Sequence, residues 1–180
     1  MQRSLLTACC VCLLLLAGCS TTAPTSGTNE ETMTVDLSLQ NDDATTYDVT
    51  VTVLPESTAG LRVTYANGST RTFPTVSRFA DLPPDARSNL TAVDALDTET
   101  TTKRYRLASR TGVGDTLTDV PQNATVVVLV TRLDGQTQSR SQGAATCTES
   151  TVMDLRLTIA DDGSVSFATA CRSESGSRPE

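Results

Sequence analysis

A chain of 180 residues with 14 basic and 21 acidic side chains, a net charge of −7 and no histidine has the size of one domain with its own core. The negative balance argues against nucleic acid as a partner, because phosphates are bound by neutralising Lys and Arg, and the missing histidine removes Ser-His-Asp and Cys-His nucleophiles, His-ligated zinc and blue-copper sites. Only 3% of residues are aromatic and Trp is absent, so the core must come from Val, Leu and Ala, and frequent Thr, as in Thr100-Thr101-Thr102, favours strands over helices.

Residues 1–18 read as a signal peptide: Arg3, an apolar stretch around Leu13-Leu14-Leu15-Leu16, then the small Ala17-Gly18. The apolar run falls short of the ~20 residues a membrane-spanning helix needs. Leu16-Ala17-Gly18-Cys19 resembles the lipobox of prokaryotic lipoproteins, which implies cleavage before Cys19 and lipid on its thiol. Residues 19–31 then form a tether, since Ser20 to Asn29 is rich in Ser, Thr, Gly and Pro without apolar pattern. Setting aside Cys9, Cys10 and Cys12 in the signal and Cys19 leaves Cys147 and Cys171. A disulfide is the natural assignment in an oxidising exterior, with free thiols or half of a metal site the alternatives, the latter disfavoured by the lack of His and of a third cysteine; closing a loop of about 25 residues would contribute roughly 3–4 kcal/mol.

From Thr32 the chain alternates in period two, with Met33, Val35, Leu37 and Leu39 on one face, and Tyr47 to Val53 repeats the pattern. Asn41-Asp42-Asp43 supplies a turn, predicting an antiparallel pair. Leu61–Tyr65 and Thr70–Phe73 flank Asn67-Gly68, which suits a type I′ hairpin turn. Phe79 to Pro84 cannot continue a strand through its prolines and is expected to cross between sheets. Strands resume over Leu90–Leu96 and Lys103–Leu107. Gly112-Val113-Gly114-Asp115 lacks the context of a phosphate-binding loop and reads as an ordinary loop.

Val126 to Val130 is a continuous apolar run, the mark of a strand buried on both faces. Val152–Ala160 and Val165–Ala170 make a C-terminal hairpin about Asp161-Asp162-Gly163. A three-residue loop there sets Ala160 against Ser164 and Cys171 opposite Met153, so a disulfide would tie the loop before the hairpin to the end of the last strand, with Cα atoms within about 7 Å. The pattern predicts an all-β, immunoglobulin-like β-sandwich of about eight or nine strands over residues 32–172, with a β-barrel as the alternative and a polar tail over 173–180.

The adjacent carboxylates Asp42-Asp43 and Asp161-Asp162 could serve glycoside hydrolysis or calcium, yet turn chemistry already accounts for them. Lys103-Arg104-Tyr105-Arg106, the one basic cluster, reads as a solvated strand face. No catalytic residue, metal site or cofactor is implied. Asn67-Gly68-Ser69, Asn89-Leu90-Thr91 and Asn123-Ala124-Thr125 match the N-glycosylation acceptor pattern, which has meaning only in an exported chain.

The lipobox, the Thr-rich acidic composition, Arg in place of Lys and the sequons together resemble the secreted lipoproteins of haloarchaea. The resemblance implies a location, the extracytoplasmic face of the cell membrane, and an acidic surface that keeps a protein soluble in concentrated salt. Arg3 stands alone, which points to general secretion rather than the twin-arginine route. The function expected is a non-enzymatic surface or envelope interaction module, touching the membrane through lipid on Cys19 and an envelope protein through its domain. A small-solute or cation-binding lipoprotein serving a transporter is the alternative, and an envelope-sugar hydrolase comes third.

Overall fold

Met33, Val35, Leu37 and Leu39 are all buried in β1 (Thr32–Asn41), and Val49, Val51 and Val53 are buried in β2 (Tyr47–Leu54), as period two requires of strands that give one face to a core. The structure is a computed structural model that describes residues 31–56, 58–133 and 140–173. The signal expected over 1–18, Cys19, all of the tether but Glu31 and all of the tail but Ser173 lie outside the described residues.

The remaining strands are β3 (Leu61–Tyr65), β4 (Thr70–Phe73), β5 (Leu90–Ala95), β6 (Thr101–Leu107), β7 (Thr111–Pro121), β8 (Thr125–Arg132), β9 (Arg140–Thr146), β10 (Val152–Ile159) and β11 (Val165–Arg172). They form three open sheets, ordered β11-β10-β1-β7, β6-β2-β8-β9 and β4-β3-β5. None closes into a barrel. The first two sheets enclose the main core, to which β1, β2, β8 and β10 contribute most of the side chains.

β1 and β2 do not pair, contrary to the expected hairpin. β1 lies between β10, parallel to it, and β7, antiparallel, whereas β2 lies between β6 and β8 in the opposite sheet. Alternation fixes which face of a strand is buried and leaves its neighbours open; here the two apolar faces meet across the interior.

β8 explains its own composition. Val126, Val128 and Val130 point into the main core, and Val127 and Leu129 point the other way into a second core with Leu54, Leu61, Val63 and Val93. The small sheet β4-β3-β5 is therefore a third layer, laid on part of the outer face of the second sheet. Two 3-10 turns, Phe79–Asp81 and Pro84–Arg87, bury Phe79, Leu82 and Ala86 beside it. The expected crossing between sheets at Phe79 to Pro84 does not occur, because β4 and β5 flank β3 in one sheet. The prolines stop a strand, as expected, but the apolar residues on either side of them are buried, Phe79 and Leu82 in the second core.

Two strands escape the sequence reading, bringing eleven where eight or nine are expected. β7 contains Gly112-Val113-Gly114-Asp115, and its glycines sit beside β1, opposite Gln40 and Ser38. A Cβ on Gly112 would meet the tip of the exposed Gln40 side chain, and one on Gly114 would find only Leu37 O at 3.9 Å, so the two glycines hide a paired strand behind the composition of a loop. β9 is an edge strand of small residues, and a Cβ on Gly143 would strike the Phe167 ring at 2.8 Å.

Candidate functional site

Sequence places acidic turns at Asp42-Asp43 and Asp161-Asp162; the structure brings them together at one end of the sandwich. Asn41 is fully buried and its amide ends the β1 ladder: Nδ2 donates to the carbonyls of Thr45 (2.8 Å), Ala108 (2.8 Å) and Leu107 (3.3 Å), and Oδ1 accepts from Asp43 N (3.1 Å). Buried Asp43 accepts from Tyr47 Oη at 2.5 Å and Thr45 N at 3.2 Å, with Arg132 Nη2 at 4.0 Å. The Tyr47 hydroxyl bond, chiefly, holds the Asp43 carboxyl below its ordinary value of 3.8, helped by backbone donors and the Arg132 charge, against desolvation. Gly163 closes the corner: a Cβ there would lie 3.2–3.3 Å from Tyr47 Oη, Arg132 Nη1 and Asp43 Oδ2.

That chemistry is structural. Asp43 is ionised and committed to donors, the opposite of the raised carboxyl a glycosidase acid needs. The corner ties the β1–β2 connection to the β6–β7 turn, to β8 and to the β10–β11 turn. Among the described residues no three His, Cys, Asp or Glu side chains group as a metal site.

Lys103-Arg104-Tyr105-Arg106 lies on β6, and alternation splits it. Lys103 Nζ (2.9 Å) and Tyr105 Oη (2.7 Å) both donate to Asp115 Oδ2 on β7, lacing the open side of the sandwich. Those two bonds, Lys103 first, take the Asp115 carboxyl down to about 2, while desolvation and then the Asp115 bond push Tyr105 up. Arg104 and Arg106 face outward, Arg106 on Asp48 at 3.3 Å, beside a cleft of about 510 Å³ also lined by Thr50, Thr91 and Thr131.

The cysteines are joined. Cys147–Cys171 has a Cα separation of 5.6 Å, and Cys171 stands opposite Met153 as the hairpin register requires. The sequons differ sharply. Asn67 is exposed in a turn, Asn89 is exposed at φ 57°, and Asn123 is half-buried at φ 61° with Nδ2 donating to Glu56 Oε2 at 3.3 Å. Asn67-Gly68 does not form the expected type I′ turn: only Gly68 has positive φ, +79°, and Tyr65 N–H donates to Ser69 O across a three-residue loop.

Residues 1–178 match the halobacterial Ig domain protein family. The chain belongs to it. Ig-like is thus the class of this sandwich, and the haloarchaeal character read from composition holds at the level of the family. No curated protein matches the sequence. Among solved structures, the human-specific toxin intermedilysin aligns at 11% identity over 77% of this chain and 23% of that one, with a TM-score of 0.34, and wild-type pneumolysin at 9% over 78% and 24%, also 0.34. The chain spans about a quarter of those toxins.

For this halobacterial Ig domain the residues missed from sequence are Asn41, Tyr47 and Arg132. Their only signal is an Asn-Asp run four residues before a Tyr that opens a strand, and Arg132 joins from 89 positions beyond Asp43.

Proposed function

We propose that this halobacterial Ig domain protein is exported, cut before Cys19 and held by lipid on that cysteine at the outer face of the cell membrane, where the sandwich acts as a non-enzymatic envelope interaction module. The observation that carries the reading is the distance in sequence between Leu16-Ala17-Gly18-Cys19 and the start of β1 at Thr32. Thirteen residues of Ser, Thr, Gly and Pro character reach at most about 45 Å, enough to stand a domain clear of the surface.

The geometry of the domain supports the same reading. The chain enters β1 beside the β7–β8 turn, where Gln122 N–H donates to Glu31 O at 2.9 Å. The β1–β2, β6–β7 and β10–β11 connections all leave the opposite end, since β1, β6 and β10 finish there. Strands of eight to ten residues separate the two ends by roughly 25–35 Å. A partner would meet the end carrying Asp42, Asp161 and Asp162, as loops at the free end of a sandwich carry variable contacts.

The test is the intact mass and membrane partitioning of the native protein beside Cys19→Ser. Lipid-sized mass on a chain starting at Cys19, lost with release to the medium in the variant, supports the anchor. A freely secreted, unlipidated wild-type chain overturns it.

A further inference from the structure

We propose that Asn67 is the N-glycosylated residue of this chain and that Asn89 and Asn123 stay bare. The inference rests on the export reading. The transfer joins Asn Nδ2 to the anomeric carbon of a lipid-phosphate-linked oligosaccharide: the N–C bond forms, the C–O bond to phosphate breaks, the lipid phosphate leaves with the bonding pair and the nitrogen loses a proton. It therefore needs an amide nitrogen free of other bonds, the Ser or Thr of the motif not tied into the fold, and a backbone that can rise into the transferase's active site without opening the core.

Asn67 meets all three demands. Its Oδ1 accepts from Ser69 N at 2.9 Å and Ser69 Oγ at 2.7 Å, so the sequon hydroxyl bonds within the motif itself. Residues Ala66 to Thr70 are all exposed, and a Cβ built on Gly68 would find nothing within 4 Å. None of the hydrogen bonds among the described residues uses Asn67 Nδ2.

The other two sequons are built into the fold. At Asn89 the middle residue, Leu90, is 2% exposed in the second core, Thr91 Oγ1 donates to Thr64 O at 3.2 Å, and Asn89 O accepts from Ala66 N. At Asn123 the amide nitrogen is already bonded to Glu56, Ala124 is fully buried, and Thr125 Oγ1 pairs with Thr146 Oγ1 at 2.8 Å at the start of β8. Presenting either one would unpick a strand.

The experiment is glycopeptide mapping by mass spectrometry of the full chain, expressed in a halobacterial host and taken from its envelope, for wild type, Asn67→Gln and Asn89→Gln/Asn123→Gln. Trypsin separates the sites, because Arg62 and Arg71, Arg87 and Lys103, and Arg110 and Arg132 bracket them in turn. The expected result is saccharide on the Val63–Arg71 peptide of wild type and of the double variant, its loss in Asn67→Gln, and less than a tenth of that occupancy at Asn89 and Asn123. A chain processed at Cys19 yet bare at Asn67, or one with comparable saccharide on Asn89 or Asn123, overturns this inference alone. A chain that keeps its first eighteen residues overturns the export reading and the inference with it.

Discussion

The β3–β4 and β10–β11 turns are the same turn in different company. In Tyr65-Ala66-Asn67-Gly68-Ser69 and Ala160-Asp161-Asp162-Gly163-Ser164, the first N–H donates to the last carbonyl at 2.9 Å, the Gly N–H donates to the first carbonyl at 2.9 Å, and the Ser N–H donates to the side chain two residues before it, at 2.9 Å and 2.8 Å. Both glycines stand at φ +79°. Yet Gly68 faces open space, whereas Gly163 packs on Tyr47, Arg132 and Asp43. Local chemistry builds the turn, and tertiary packing decides what the turn is for: one is free for modification, the other locks an end of the sandwich.

The hairpins differ most at their open ends, because β10–β11 is stapled by Cys147–Cys171 and β3–β4 is not. Cys147→Ser/Cys171→Ser should lower unfolding free energy in urea by about 3 kcal/mol. Hydrogen exchange should speed up along β11 and stay unchanged along β3–β4. Equal acceleration in both hairpins would mean that the staple acts on the whole domain rather than on its own strand.

Next in size is the corner behind Gly163. Asp43→Ala removes the carboxylate that accepts from Tyr47 Oη and Thr45 N and faces Arg132, and losing hydrogen bonds to a buried charged group costs about 2–4 kcal/mol. Asn67→Ala removes only exposed bonds in the matching turn and should cost less than about 1 kcal/mol. Parallel denaturation curves separate the two; similar losses would deny the corner its structural weight.

The glycines themselves give a finer contrast. Alanine in the left-handed region costs about 1–2 kcal/mol wherever it stands, so Gly68→Ala should lose about 1 kcal/mol. Gly163→Ala adds a methyl within 3.2–3.3 Å of three polar atoms and should lose about 2–3 kcal/mol, overpacking adding to strain. The difference between the two variants measures the tertiary share directly.

Sequence shows the turns and not their company, and the same division runs through the fold. Alternation in β1 and β2 marks their buried faces, and the unbroken Val126 to Val130 foretells a strand between two cores, because burial is written into side-chain type. Pairing is not: Val35 and Val49 sit in similar patterns but belong to opposite sheets. β7 carries two glycines and β9 is short-chained where Gly143 meets the Phe167 ring, so their own composition reads as loop. The C-terminal hairpin and its disulfide follow from local register, whereas the Asn41–Asp43–Tyr47 corner draws on Leu107, Ala108, Arg132 and Gly163, contacts that no local pattern announces. Of the candidate sites, the sequons are visible as motifs, but burial of Leu90 and Ala124 and the bonds of Thr91, Asn123 and Thr125 tell them apart.

The smallest expected effect sharpens the comparison furthest, because the side chain that accepts the Ser N–H is neutral in one turn and titratable in the other, Asn67 against Asp162. The bonds from Ser164, its hydroxyl first and its N–H second, hold the Asp162 carboxyl below its ordinary 3.8, opposed by burial and by the charge of Asp43. A carboxylate whose folded value is depressed stabilises above its unfolded value and loses that contribution as pH falls through the folded one. Stability should thus be level near neutrality and decline as pH drops below about 4, with Asp43 and Asp115 sharing the loss through the same sign. Asp162→Asn keeps an acceptor for Ser164 N–H and removes the titration, so its decline should be shallower; Asn67→Asp should import a matching decline into the exposed hairpin. Thermal melts of both variants from pH 5 to pH 2 decide the point. If exchanging the two side chains leaves the slopes unmoved, the acid response lies outside this position of the two turns, with Asp43 and Asp115 among its carriers.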